Sequence, residues 1–210
     1  MKTLVLLFFS ILSIAHAQLT AGRLDLATNV VQAGEVRATV MSIQLRANGS
    51  DYRPTDIILT LGGADFSHPA AVYTKVFKTM YIVDDRENVL AKTDLNASTV
   101  SLVGNEYKLD ISLAGSDYSV LDGATRTLKV EADIYSSIQM QYQGMYEIDL
   151  RPFDLTYADA NGTVDYTGQP LVQYLFAADS GSAVPEPSSW AAIAGLGAIG
   201  LAVSKRYWRR

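Results

Sequence analysis

Between residues 18 and 178 the dominant pattern of hydrophobic and polar positions has a period of two, the signature of half-buried strands. In "VRATVMSIQLRA", Val36, Ala38 and Val40 stand against Arg37 and Thr39, and the alternation carries on through Ile43 and Leu45. Residues 56–63, 72–85 and 99–115 behave likewise, followed by 126–137, 145–157 and 162–178. Gly104-Asn105 separates two β-rich runs and predicts a hairpin turn, because both residues tolerate positive φ. The polar stretch 84–88 predicts a second turn, joining 81–83 to 89–91, and Asn161-Gly162 predicts a third. No amphipathic helix competes with these runs. The expectation is an all-β chain: a single antiparallel β-sandwich of seven to nine strands over residues 18–176, Ig-like or jelly-roll-like.

The two ends break the pattern. "MKTLVLLFFSILSIAHA" has Lys2, then an apolar stretch, then Ala15 and Ala17 around His16. A positive start, a short apolar run and an A-x-A site predict a signal peptide over 1–17, cut by signal peptidase after Ala17. From residue 177 the texture turns small, polar and proline-bearing, which predicts a flexible linker over 177–189. Residues 190–203 then carry no charge, and Lys205, Arg206, Arg209 and Arg210 close the chain. Fourteen helical residues span about 21 Å, short of a hydrocarbon core of about 30 Å. The flanks help: Trp190 and Trp208 suit the interface, and Lys205 and Arg206 can snorkel. A short transmembrane helix over 190–204 is expected, with 205–210 as a basic cytoplasmic tail. Gly197 and Gly200, with Ala194 and Gly195, give that helix a small-residue side fit for close packing.

Charge sharpens the picture once the ends are set aside. Residues 18–184 hold 12 Lys/Arg against 21 Asp/Glu, a net of −9. A body this acidic repels phosphate backbones, so no nucleic-acid partner is expected. The chain has no cysteine, so an exported body must rely on its core rather than on disulfides. Thiolate nucleophiles and thiolate metal ligands are excluded with it.

The ordered C-terminal elements resemble the PEP-CTERM sorting domain. Pro185, Glu186 and Pro187 match its Pro-Glu-Pro, residues 190–203 its Gly/Ala-rich hydrophobic helix, and 205–210 its Arg-rich cluster. The resemblance implies recognition and cleavage by exosortase, a membrane-embedded, cysteine-protease-like transpeptidase of Gram-negative bacteria. It further implies transient residence in the inner membrane, then delivery to the envelope, outer surface or extracellular matrix, with ties to exopolysaccharide and biofilm. The physics of the motif agrees. Two prolines hold the segment around Glu186 extended, and the lone carboxylate is a point that a basic pocket can read. Val184, Pro185, Glu186 and Pro187 are therefore the expected recognition residues. A second resemblance covers residues 21–137. "VVQAGEVRATVMSIQLRANGSDYRPTDIILTL" and "LDGATRTLKVEADI" are similar to Ig-like sandwich modules of bacterial surface proteins, which implies a fold and no catalytic residues.

Candidate chemistry in the body is sparse. His68 is the one histidine outside the signal segment, and no G-x-S-x-G accompanies it. Asp159, Asn161 and Asp165 near Gly162 suggest a weak calcium loop, but the order of an EF-type loop fails and an Asn-Gly hairpin fits better. Asp84, Asp85 and Glu87 read as a solvated turn. Tyr135, Tyr142, Tyr146, Tyr157, Tyr166 and Tyr174 crowd the last third and could stack on sugar rings, or simply build strands. Sequons at Asn48, Asn96 and Asn161 imply no glycosylation in a bacterium. The expectation is a non-enzyme with no metal and no cofactor, in a structural or adhesive role. An exopolysaccharide-binding module and a secreted glycan-active enzyme are the alternatives.

Overall fold

The computed structural model describes residues 18–62, 70–103, 106–151, 154–159, 162–165 and 169–179. The expected signal segment and the stretch 180–210 lie outside the described residues. What is described is mostly β, with antiparallel and mixed sheets. The first sheet is antiparallel throughout. It runs β1 (Gln18–Leu24), β3 (Ala38–Asn48), β9 (Thr125–Ile134), β5 (Phe77–Val83), β6 (Val89–Asp94).

The second sheet is built around β4 (Arg53–Leu61). One edge of β4 pairs with β8 (Glu106–Ser112), which carries β7 (Val100–Val103) on its outside. The other edge is shared. Thr60 and Leu61 pair with β10 (Gly144–Leu150), and residues 53–57 pair with β11 (Leu155–Asp159). The sheet continues from β11 to β12 (Gly162–Asp165), and from β10 through β13 (Leu171–Ala178) to β2 (Val30–Gln32).

Inward residues of both sheets form one hydrophobic cluster, consistent with a sandwich. Met41, Ile43, Leu128 and Met80 come from the first sheet, Ile57, Leu59, Ile148 and Leu175 from the second. The phase slip in the opening run has a structural cause. Thr39 pairs with Glu131 and Met41 with Val130, so Val40 is the extra residue of a bulge. Val40 and Met41 are both buried, and the inward positions switch from even to odd numbers there.

Three expectations need correction. The fold is not purely antiparallel, because β2 runs parallel to β13. Parallel neighbours share no hairpin, so no turn signal announces them. The strands number thirteen among the described residues, not seven to nine. The run 145–157 splits into β10 and β11, whereas β2, β7 and β12 have only three or four residues, too few to show a period. Residues 72–76, read as strand, belong to α1 (Ala70–Val76). Tyr73, Val76 and Phe77 lie at i, i+3 and i+4 and are fully buried, which is helical spacing. The Tyr73 ring meets Tyr146 edge-on at 5.1 Å and Phe77 at 6.1 Å. Two expected hairpins do close: Val83 pairs with Val89 across 84–88, and Val103 pairs with Glu106. The third closes one residue early, with Asp159 paired to Gly162.

Candidate functional site

The expected recognition residues Val184, Pro185, Glu186 and Pro187, the anchor residues Trp190, Gly197 and Gly200, and the basic cluster Lys205, Arg206, Arg209 and Arg210 lie outside the described residues. So do Ala15, Ala17, His68, Asn161 and Tyr166. The structure shows where the chain leaves the sheets on its way to them. β13 extends to Ala178, two residues beyond the expected boundary at 176, and the Ala33 amide donates to the Ala178 carbonyl at 2.9 Å. Asp179 is also tied down: its Oδ1 accepts from the Ile138 amide at 3.2 Å. The turn carrying Ala33 is itself joined to the chain beyond β9, the Gly34 amide donating to the Tyr135 carbonyl at 2.8 Å. The exit point is therefore ringed by residues 33–37 and 135–143. Val36, Met140 and Tyr135 in that ring are 76%, 87% and 38% exposed.

On β10, "YEIDL" alternates, which should send Glu147 and Asp149 to solvent. Yet they are only 4% and 3% exposed. Tyr146, Ile148 and Leu150 do join the core, and the two acids occupy the opposite face, where Asp149 lies across from Thr60 and Val172. Burial pushes the Asp149 carboxyl above the usual carboxylate range, against the pull of Glu147 and Arg151. Arg151 Nη2 stands 3.4 Å from Asp149 Oδ2, and its Nη1 pairs with Glu106. Nearby, Lys108 Nζ is 2.9 Å from Asp154 Oδ1. A carboxyl with a raised pKa can hold a proton for transfer. Here its neighbours are the Glu147 carboxyl and Arg151, with Glu106 on the far side of that guanidinium, the company of a structural charge network.

Two other polar groups are structural. Asp84 accepts from the amides of Arg86 and Asn88 and from Asn88 Nδ2, at 2.8–3.0 Å, fixing the β5–β6 turn. Arg126 lies 4.4 Å over the Tyr118 ring and pairs with Asp85. On the outer face of the first sheet, Arg37 binds Glu131 at 2.7 Å and Tyr81 donates to Asp133 at 2.7 Å. The acids of the 84–88 turn are thus engaged rather than simply solvated. Glu87 pairs with Lys129.

The five described late tyrosines do not gather on one face. Tyr146 and Tyr157 are buried in the core, Tyr142 packs against it, and Tyr135 and Tyr174 are exposed on different elements. Asn96 spends its Oδ1 on the amides of Ser98 and Thr99. Among the described residues no group of three or more His, Asp or Glu is disposed to hold a metal, and no helix is long and apolar enough to cross a membrane. Sequence reasoning missed the buried acids of β10, which alternation disguises, and the exposed Val36 and Met140, which carry no motif.

Residues 183–206 match the PEP-CTERM protein-sorting motif, beginning four residues past Asp179. Among solved structures the chain is similar to AvmM, which catalyses macrocyclization in alchivemycin A biosynthesis. Identity is 8%, coverage is 80% of this chain and 92% of that one, and the TM-score is 0.40. It is also similar to a family 123 glycoside hydrolase from Clostridium perfringens, at 9% identity and a TM-score of 0.30, covering 81% of this chain and 28% of that one. Similarity this distant carries no argument about activity. No curated protein matches the chain.

Proposed function

We propose that this chain is an exported, non-enzymatic surface or extracellular-matrix protein, addressed by its C-terminal motif and cut there by exosortase, with a structural or adhesive role. The sorting motif at 183–206 is the observation that carries the reading. In it, signal peptidase acts after Ala17, and Pro185, Glu186 and Pro187 are what exosortase reads. Residues 190–204 hold the motif in the membrane, and Lys205, Arg206, Arg209 and Arg210 fix its orientation. The exit geometry supports a separable address, since the last described strand ends at Ala178 and the motif lies wholly beyond it. Among the described residues the late tyrosines are scattered and give the exopolysaccharide-binding alternative no assembled platform.

The test is processing in a host that carries exosortase. The C-terminus of the mature protein is read by mass spectrometry after cell fractionation. Wild type is expected to lose the apolar run and basic tail, and Glu186→Ala to accumulate in the inner membrane with Arg210 intact. Equal processing of the two would remove Glu186 from the recognition element, and an intact tail in mature wild type would leave a plain membrane anchor.

A further inference from the structure

We infer that the end of the fold from which the chain exits is a membrane-resting surface, with Val36, Met140 and Tyr135 seated in the lipid interface while the C-terminal segment is still in place. This rests on the reading of residues 190–203 as a membrane segment. Met140 and Val36, at 87% and 76%, are the most exposed of the large hydrophobic residues described. They belong to separate loops, yet backbone hydrogen bonds gather both around Asp179. Gly34 bonds to Tyr135, Ile134 to Glu35, Ala33 to Ala178, and Ile138 to the Asp179 side chain. Isolated exposed hydrophobics need no explanation, but three around one chain exit do.

The tether supplies the occupant. Ten residues, 180–189, separate Asp179 from Trp190, and even fully extended they reach only about 35 Å. The exit end is thereby held within that distance of the bilayer, and a relaxed linker of this length averages about 15–20 Å. The opposite end is farther by the length of β3, whose eleven residues span about 35 Å. An aromatic ring and two aliphatic side chains suit the interfacial zone, where amphipathic and apolar groups partition. Charge does not provide the contact: the body carries −9, Glu35 and Asp179 lie at this end, and the cation among residues 33–37, Arg37, is paired with Glu131. A neutral lipid surface entered by apolar side chains fits better than an anionic one.

The absence of cysteine makes the test direct. Single variants V36C, M140C, L121C and A192C of the chain with its C-terminal segment intact are spin-labelled and reconstituted into phosphatidylcholine vesicles. Collision with oxygen is compared with collision with a water-soluble nickel chelate. Leu121 is the control, a 57% exposed hydrophobic at the far end, beside the Gly49–Asp122 contact. Labels at 36 and 140 are expected to favour oxygen several-fold over the label at 121, and the label at 192, two residues past Trp190, to favour oxygen at least as strongly as they do. If 192 is in lipid while 36 and 140 match 121, the surface is not a membrane-resting one, although the anchor reading survives. If 192 is aqueous, the anchor reading falls and takes this inference with it. Dipolar broadening at 140 between labelled molecules would instead assign the face to a second copy of the chain and overturn the inference.

Discussion

Asp84 and Asp149 are both buried acids, and their surroundings drive them in opposite directions. At Asp84 burial works to raise the pKa, but the Asn88 side chain, the Asn88 and Arg86 amides and the Arg126 charge outweigh it, so the group is held below its ordinary 3.8. Asp85 is likewise lowered, chiefly by its hydrogen bond from Arg126. A depressed acid contributes stability that is full above its unfolded pKa and lost as pH falls through the folded one. Asp149 is raised by burial, so its contribution runs the other way, and stability falls as pH climbs from 3.8 through the raised value. Asp149→Asn should therefore raise the urea midpoint at about pH 7 and leave it unchanged near pH 3. Arg151 keeps Glu106 as its partner in that variant. Asp84→Ala should cost about 1–3 kcal/mol at neutral pH through the lost turn hydrogen bonds. Asp84→Asn, which keeps an acceptor for the amides, should mainly flatten the acid-side fall. Urea melts across pH separate the three, and an unchanged midpoint for Asp149→Asn at neutral pH would show that Arg151 and Glu147 fully compensate the buried charge.

At the scale of elements, α1 is tied to the second sheet by a ring contact with Tyr146 and by one hydroxyl. Tyr73 Oη donates to the Glu147 carbonyl at 2.8 Å and accepts from the Glu147 amide at 3.2 Å, both inside the protein. Tyr73→Phe keeps the ring contacts with Tyr146 and Phe77, and the Glu147 carbonyl keeps its bond from the Gly62 amide, so the loss of the hydroxyl's two bonds should cost about 0.5–1.5 kcal/mol in chemical denaturation. Tyr73→Ala adds a cavity and should cost about 3–5 kcal/mol. A Tyr73→Phe protein as stable as wild type would place the anchoring in the ring stack alone. The same helix shows what the sequence hid. "VYTKVFKTMYIV" keeps period two well enough to read as one strand, and the i, i+3, i+4 set of Tyr73, Val76 and Phe77 is visible only once a helix is sought. Long strands such as β3, β4 and β9 were legible because each buries one face over nine or more residues. β10 misled in a subtler way: its alternation located the strand correctly, but alternation reports which face points to the core, not whether the other face meets water. The sorting motif was the most legible part of the chain, because it is read as sequence and does not depend on a fold.

For the molecule as a whole, β13 decides where fold ends and address begins. It pairs with β10 over seven residues and with β2 over three, so it joins the second half of the chain to residues 30–32 near its start. Leu171, Leu175 and Ala177 belong to the hydrophobic core, and Ala178 is buried beside them. Among the described residues, β13 and Asp179 find their partners in β10, β2, Ala33 and Ile138. A chain stopped after Ser182 should melt within about 1 °C of the chain carrying its tail in the same detergent, because in a domain of this size about 1 kcal/mol of stability corresponds to 2–4 °C. Stopping after Pro170 exposes the edges of β10 and β2 together with the core they cover, and the cooperative transition should disappear. Calorimetry of the two truncations distinguishes a removable address from an integral last element. A lowered melting temperature for the chain ending at Ser182 would mean that the sorting segment also supports the fold. Cleavage would then weaken the protein it releases. An unchanged one means that the sheets are complete before the motif begins, which is what a segment meant to be cut away requires.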